Sequence, residues 1–218
     1  MSLHLQRDLE KLKKEILKLG NLVETAINNA ILALQNREAT YLDEVFRQEH
    51  LINDMEVKIE EDCLKILALH QPVAGDLRFI VVALKVNNDL ERMGDFATNI
   101  AKRARDLMIE EPIPTLPEFV NDLPDLVRTM VRKSLDALVK LDQDQAEEVI
   151  AMDDQVDQIN RDMYAVVKKE LYEHPANAES AINLLSCSRY MERIADLSTN
   201  IAEDVIFMVE GKVIRHAD

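Results

Sequence analysis

The chain has 218 residues and a formal net charge of −15, and 47% of its residues are hydrophobic but only 4% aromatic. With 4 glycines, 6 prolines and no tryptophan, it lacks the turn and aromatic residues of a sheet protein, so the composition favours an all-α fold. The acidic balance argues against nucleic acid as the main partner, because phosphate neutralisation needs clustered Lys and Arg.

Apolar residues at steps of three and four predict a long first helix that ends near residue 36. A second helix is predicted from about 39 to 70, with Leu69 among its inward positions. The stretch Gln71–Gly75 breaks the pattern, because Pro and Gly punctuate helices. A third helix follows, and its predicted inward positions are Phe79, Val82, Val86, Leu90, Met93, Ala97, Ile100, Ala104 and Leu107.

The segment Glu111–Pro117 holds three of the prolines and predicts a connection, since Pro cannot continue a helix. After it the pattern starts again: Val127 corresponds to Val23 at an offset of 104 (127 − 23) and Glu192 to Glu91 at an offset of 101 (192 − 91). This drift indicates a tandem duplication with one trimmed loop. We predict six long helices in two tandem three-helix bundles, at 1–110 and 118–215, joined by 111–117.

One stretch of the third helix, 90–101, returns in close copy at 191–202. Each copy carries a Glu, an Asp and an Asn four residues apart, which we call the acidic ridge: Glu91, Asp95 and Asn99 in the first half and Glu192, Asp196 and Asn200 in the second. Residues four apart are neighbours on a helix surface, so the two carboxylates repel. The simplest interpretation is a solvated charged face opposite the apolar stripe, but its recurrence in both halves favours a bound cation.

Carboxylate oxygens suit cations such as Mg²⁺, Ca²⁺, Mn²⁺ and iron, and two carboxylates supply only part of a coordination shell. The fifth helix offers Asp153 and Asp157, again four residues apart. The offset of 104 gives Glu49 and Asn53 as their first-half equivalents. We therefore predict a metal site in each half, near the surface, where the ridge meets this neighbouring helix.

Other chemistry finds little support in the sequence. A ferritin-like di-metal site needs Glu-x-x-His pairs, and no His lies three residues after a Glu. No Ser/His/Asp arrangement, Gly-rich phosphate loop or zinc-protease motif is present, so we expect no enzyme. Cys63 and Cys187 are interpreted as reduced core residues.

The ridge motifs resemble a known pattern. Leu90–Asp95 with Thr98–Ala101, and Met191–Asp196 with Thr199–Ala202, are similar to the paired E(D)xxxD motifs of the PhoU family. The resemblance extends over essentially the whole chain, including His70–Arg78. It implies a cytoplasmic, often dimeric regulator that restrains the phosphate-specific ABC transporter and its sensor histidine kinase when phosphate is plentiful.

The same resemblance implies metal binding, including multinuclear iron or zinc clusters, at Glu91, Asp95, Glu192 and Asp196. The expected function is a metal-binding negative regulator of phosphate uptake and phosphate-starvation signalling, acting as a homodimer on the transporter ATPase subunit or the sensor histidine kinase. The alternative is a metal-storage or metal-dependent hydrolytic bundle. Asn53 departs from the acidic pair of the second half, which leaves open whether both sites bind the same metal.

No run of the sequence approaches the roughly 18 apolar residues of a membrane-spanning helix. We therefore expect a soluble, cytoplasmic protein that reaches the membrane only through its partners. The metal is expected to be iron, zinc, Mg or Mn, and the sequence does not choose among them.

Overall fold

The computed structural model describes residues 3–110 and 118–211, and within these ranges the chain is helical without a strand. The six helices are α1 (Leu3–Asn36), α2 (Ala39–His70), α3 (Ala74–Ile109), α4 (Glu118–Lys140), α5 (Gln143–Glu173) and α6 (Ala178–Glu210), with a short 3₁₀ turn at Pro175–Asn177. The all-α prediction is confirmed. The predicted connection at 111–117 and the last residues of the predicted second bundle, 212–215, lie outside the described residues.

Each half of the chain forms a three-helix bundle, as predicted. Helices α1, α2 and α3 pack on one another, as do α4, α5 and α6. The two bundles are joined by an extensive contact between α3 and α6 and a smaller one between α1 and α4. Helices α2 and α5 contact only their own bundles and so lie at the periphery.

Helices α3 and α6 cross in antiparallel directions. Near the start of α3, Lys85 Nζ lies 2.9 Å from Asp204 Oδ1, near the end of α6. Towards the end of α3, Arg103 Nη1 donates to Asn183 Oδ1 at 3.3 Å, near the start of α6. Between these contacts the rings of Phe96 and Tyr190 stack with centroids 6.0 Å apart, which makes the α3–α6 pair the centre of the molecule.

A continuous hydrophobic core runs through both bundles. The apolar stripe predicted for α1 is buried, including Leu12, Leu19 and Val23. Both cysteines are buried and reduced, and burial raises the pKa of each thiol to about 12. The prediction for Leu69 was wrong: its side chain is 72% exposed, because it lies in the last turn of α2 beside an exposed turn.

Because three helices pack against α3, its circumference is mostly buried. Side chains that keep contact with solvent are confined to a narrow stripe, which includes Asn88, Arg92, Asp95 and Lys102. Helix α6 has a similar stripe that includes Arg189, Arg193 and Asp196. The acidic ridges therefore lie along the margin of these stripes, with Glu91 and Glu192 half-buried.

The turns between helices repeat as well. Arg37, after α1, and Leu141, after α4, both adopt the left-handed region with φ of 56° and 53°, and they correspond at the offset of 104. The Arg37 guanidinium also donates to the backbone carbonyls of Leu107 and Glu110 at the end of α3. None of the described helices combines the length and apolarity that crossing a membrane would require.

The contact between α1 and α4 gives a test of the joint between the bundles. A Cβ on Gly20 would lie 2.9 Å from Leu135 Cδ2, so Gly20→Val is expected to lower the free energy of unfolding by about 1–3 kcal/mol through overpacking. Urea unfolding followed by circular dichroism measures the change. The matched control is Gly75→Val, at a position where an added Cβ would meet no atom within 4 Å; equal effects of the two substitutions would contradict the tight α1–α4 contact.

Candidate metal centre

The second half brings four predicted site residues together. Asp153 and Asp157 of α5 face Glu192 and Asp196 of α6 across the groove between these helices. Burial raises the pKa of Asp153 to about 6, and the negative charges of Asp196 and Asp157 add to the rise. The pKa of Asp196 is likewise raised to about 6 by partial burial and by the charges of Glu192 and Asp157. Each of the four carboxylates therefore acts electrostatically on at least one partner across the groove.

The Asp153 carboxylate is only partly hydrogen-bonded within the described residues. Its Oδ1 atom is buried and has no hydrogen-bond partner among the described residues. A hydrogen bond from the Thr199 hydroxyl lowers the pKa of Asp153 and so opposes this rise. A buried polar oxygen without a partner is costly and rare in folded proteins. A cation or a water molecule in the groove would satisfy this oxygen.

Arginines border the second-half carboxylates without filling the groove. Arg161 Nη1 lies 3.2 Å from Asp157 Oδ2 on the exposed side of α5. The guanidinium of Arg193 lies 5.5 Å from the centre of the Phe96 ring and lowers the pKa of Glu192, against the larger effects of burial and of Asp157. These cations compensate the repulsion only in part, since the pKa values of Glu192 and Asp196 stay raised.

The first-half ridge meets a different partner. Burial raises the pKa of Glu91, and the charges of Asp95 and then Glu56 of α2 add to the rise. Burial also raises the pKa of Glu56, with Glu60 as a second cause. Glu56 is not among the predicted site residues, because the positions of α2 that match Asp153 and Asp157 are Glu49 and Asn53.

Glu49 and Asn53 occupy the α2 positions that match Asp153 and Asp157. Glu49 is half-buried and Asn53 is exposed. That Glu49 and Asn53 belong to a metal site in the first half stays a prediction. The electrostatic partner that the structure places beside Glu91 on α2 is Glu56, one turn beyond Asn53.

Asn87 is a second residue that sequence analysis missed. It lies four residues before Glu91 and so extends the ridge along α3, which was a signal available in the sequence. Its side chain is 1% exposed, and its Nδ2 donates to the Glu56 backbone carbonyl at 2.9 Å and to Glu56 Oε1 at 3.3 Å. Its Oδ1 is buried without a hydrogen-bond partner among the described residues.

The donor set fits a hard or borderline cation, because it consists of carboxylate oxygens with amide and hydroxyl oxygens beside them. Within residues 3–110 and 118–211, no three His, Cys, Asp or Glu side chains converge closely enough to hold an ion in their present rotamers. Binding would therefore require the ridge carboxylates to turn towards the groove. Two buried oxygens of these grooves have no hydrogen-bond partner among the described residues: Asp153 Oδ1 and Asn87 Oδ1.

Comparison with known proteins agrees with the duplicated fold. The family model described as "PhoU domain" matches residues 16–104 and 120–205. A phosphate-specific transport system accessory protein PhoU homolog of Aquifex aeolicus is 38% identical over 96% of this chain and 95% of its own length. The homolog of Pseudomonas putida is 37% identical over 96% of this chain and 82% of its own length.

Solved structures of this kind superpose on the whole fold. The crystal structure of PhoU from Pseudomonas aeruginosa has a TM-score of 0.92 and 35% identity, covering 95% of this chain and 99% of that one. The phosphate transport system regulatory protein PhoU from Streptococcus pneumoniae has a TM-score of 0.83 and 27% identity, covering 96% and 98%.

The raised pKa values predict how stability depends on pH. The carboxyls of Asp153 and Asp196 have pKa values of about 6 in the folded chain, against about 4 for an unfolded Asp. Between these values the folded state holds more protons than the unfolded state, so the free energy of unfolding of the metal-free protein falls as pH rises through this window. Asp153→Asn cannot ionise and is expected to remove part of that fall.

Urea unfolding in the presence of a chelator, at about pH 5 and about pH 7.5, measures the effect. Asp162→Asn, at an exposed position of α5 that does not affect the pKa of Asp153 or Asp196, is the matched control and keeps the full dependence. The same pH dependence in both variants would show that the groove does not strain the Asp153 carboxylate.

Proposed function

The chain belongs to the PhoU family, and we propose that it is an accessory regulator of a phosphate-specific transport system that binds metal ions in the grooves beside its acidic ridges. The observation that carries this proposal is the match of two PhoU domains and of full-length relatives named as accessory proteins of that system. We also propose that this regulation is negative: the protein restrains phosphate uptake and phosphate-starvation signalling. It acts in the cytoplasm by binding the transporter ATPase subunit or the sensor histidine kinase.

The metal part of the proposal is supported by electrostatics. Four carboxylates share the α5–α6 groove, and burial and mutual repulsion raise the pKa values of three of them. A divalent or trivalent cation would remove that repulsion and satisfy Asp153 Oδ1. Iron, zinc, Mg and Mn remain the candidates, and the oxygen-rich donor set fits Mn²⁺ as a probe.

Metal content and thermal stability test this part directly. A cation that binds only the folded chain is expected to raise the free energy of unfolding by about 2.7 kcal/mol when its free concentration is a hundredfold above its Kd. Glu192→Gln with Asp196→Asn is expected to reduce both the metal content by elemental analysis and the rise in melting temperature on adding Mn²⁺. Glu147→Gln with Asp162→Asn removes the same charge from exposed positions of α5 and should leave both unchanged.

Equal metal content in the two double variants would remove the ridge from the metal proposal. A phosphatase assay on the metal-loaded wild type separates regulation from the alternative hydrolytic function. Turnover that Glu192→Gln abolishes would favour the hydrolytic alternative.

Exposed apolar side chains at the α2–α3 and α5–α6 turns are the surfaces we propose for protein partners. Leu69 and Val73 at the first turn are 72% and 73% exposed. Tyr172 at the second turn is 78% exposed and corresponds to Leu69 at an offset of 103 (172 − 69). Exposed apolar groups that recur in the two halves favour use in an interface.

Association with the transporter ATPase tests the partner proposal. The wild-type chain is expected to co-purify with the ATPase subunit. Leu69→Ser with Val73→Ser should weaken that association by about tenfold or more, since buried apolar anchors dominate interfaces. Leu64→Ser, at an exposed position within α2, is the control. No association with ATPase or kinase under any phosphate or metal condition would contradict the proposed function.

A further inference from the structure

The two halves of the chain preserve one polar contact between their second and third helices. In the first half, Asn87 Nδ2 donates to Glu56 Oε1 at 3.3 Å. In the second half, Ser188 Oγ donates to Asn160 Oδ1 at 3.0 Å. Asn160 matches Glu56 at the offset of 104 (160 − 56), and Ser188 matches Asn87 at the offset of 101 (188 − 87). The same place in the groove is therefore neutral in the second half and carries a carboxylate in the first.

The carboxylate of Glu56 in α2 lies about one helical turn beyond the position that matches Asp157 of α5. The second half has Asp157 where the first half has the neutral Asn53, and the first half has Glu56 three residues later where the second half has Asn160. Residues three apart lie on the same side of a helix. The negative charge missing at Asn53 thus reappears in the same groove, one turn closer to the end of α2.

The residue of the third helix of each half that faces this position also differs: it is Asn87 in α3 and Ser188 in α6. Because α2 and α3 run in opposite directions, one turn forward on α2 faces one turn backward on α3, from Glu91 towards Asn87. Asn87 is 1% exposed, and its Oδ1 is buried without a hydrogen-bond partner among the described residues. An amide oxygen is a suitable neutral ligand for a hard cation, whereas Ser188 at the matching place is satisfied by Asn160.

We propose that the first half binds a cation at a displaced position, with Glu56 and Glu91 as anionic ligands and Asn87 Oδ1 as a neutral one. This inference rests on the proposed metal-binding function and makes the two sites of the chain chemically different. The second-half site is bounded by four carboxylates from α5 and α6. The first-half site lies one turn further along its groove and has fewer charges, so it is expected to bind the same cation more weakly.

Mn²⁺ binding measured by electron paramagnetic resonance of the free ion tests the displaced site. The second-half site is first disabled with Asp153→Asn and Asp196→Asn, so that the remaining binding reports the first half. In this background Glu56→Gln is expected to weaken Mn²⁺ binding by about tenfold or more, as loss of a charged ligand does. Glu61→Gln removes an exposed α2 carboxylate that does not affect the pKa of Glu56 or Glu91; it is the matched control and should leave the affinity unchanged.

A rescue variant separates ligation from a general loss of charge or of folding. Asn53→Asp combined with Glu56→Gln copies the second-half arrangement and is expected to restore binding, while circular dichroism confirms equal helicity of all variants. If Glu56→Gln leaves Mn²⁺ affinity unchanged while Glu91→Gln abolishes it, the displaced site is wrong and metal binding at the ridge stands. If neither Glu91→Gln nor Glu192→Gln in the wild-type chain alters binding, the proposed metal-binding function fails as well.

Discussion

The antiparallel packing of α3 against α6 is the constraint on which the rest of the structure depends. Each of these helices is covered by two helices of its own bundle and by the other central helix, so only a narrow stripe of its surface reaches solvent. The acidic ridges lie along the margins of these stripes, beside α2 in one half and α5 in the other. Glu91 and Glu192 are therefore held half-buried and close to further acids, which a solvated surface helix would not do.

This placement makes the repulsion between neighbouring carboxylates stronger than it would be on an exposed helix face. An exposed pair of like charges four residues apart costs only a few tenths of a kcal/mol. Partial burial strengthens the interaction and disfavours the charged forms, as the raised pKa values of Asp153 and Asp196 show. The proposed cation sites rest on this electrostatic strain.

Much of the fold was predictable because periodicity and duplication constrain it strongly. The apolar stripe of α1, the breaks near residues 37 and 71, and the two three-helix bundles all follow from local patterns. The packing of α3 on α6 does not, because a sequence pattern shows that a face is apolar but not which helix covers it. The grouping of Asp153 with Asp196 followed from the four-residue spacing of the acids on the fifth helix and from the need for more ligands than the ridge supplies. Glu56 was missed because its position in the repeat is held by the neutral Asn160, and internal symmetry therefore gave no reason to examine it.

Crystals of the protein grown with Mn²⁺ and measured by anomalous diffraction test the central claim most directly. The account predicts a strong anomalous peak in the α5–α6 groove between Asp153, Asp157, Glu192 and Asp196, and a weaker one between α2 and α3 beside Glu56, Asn87 and Glu91. Both peaks would lie about 2.0–2.6 Å from carboxylate oxygens, the range of metal–oxygen bonds. Peaks confined to other surfaces, or both grooves filled by water alone at saturating Mn²⁺, would contradict it.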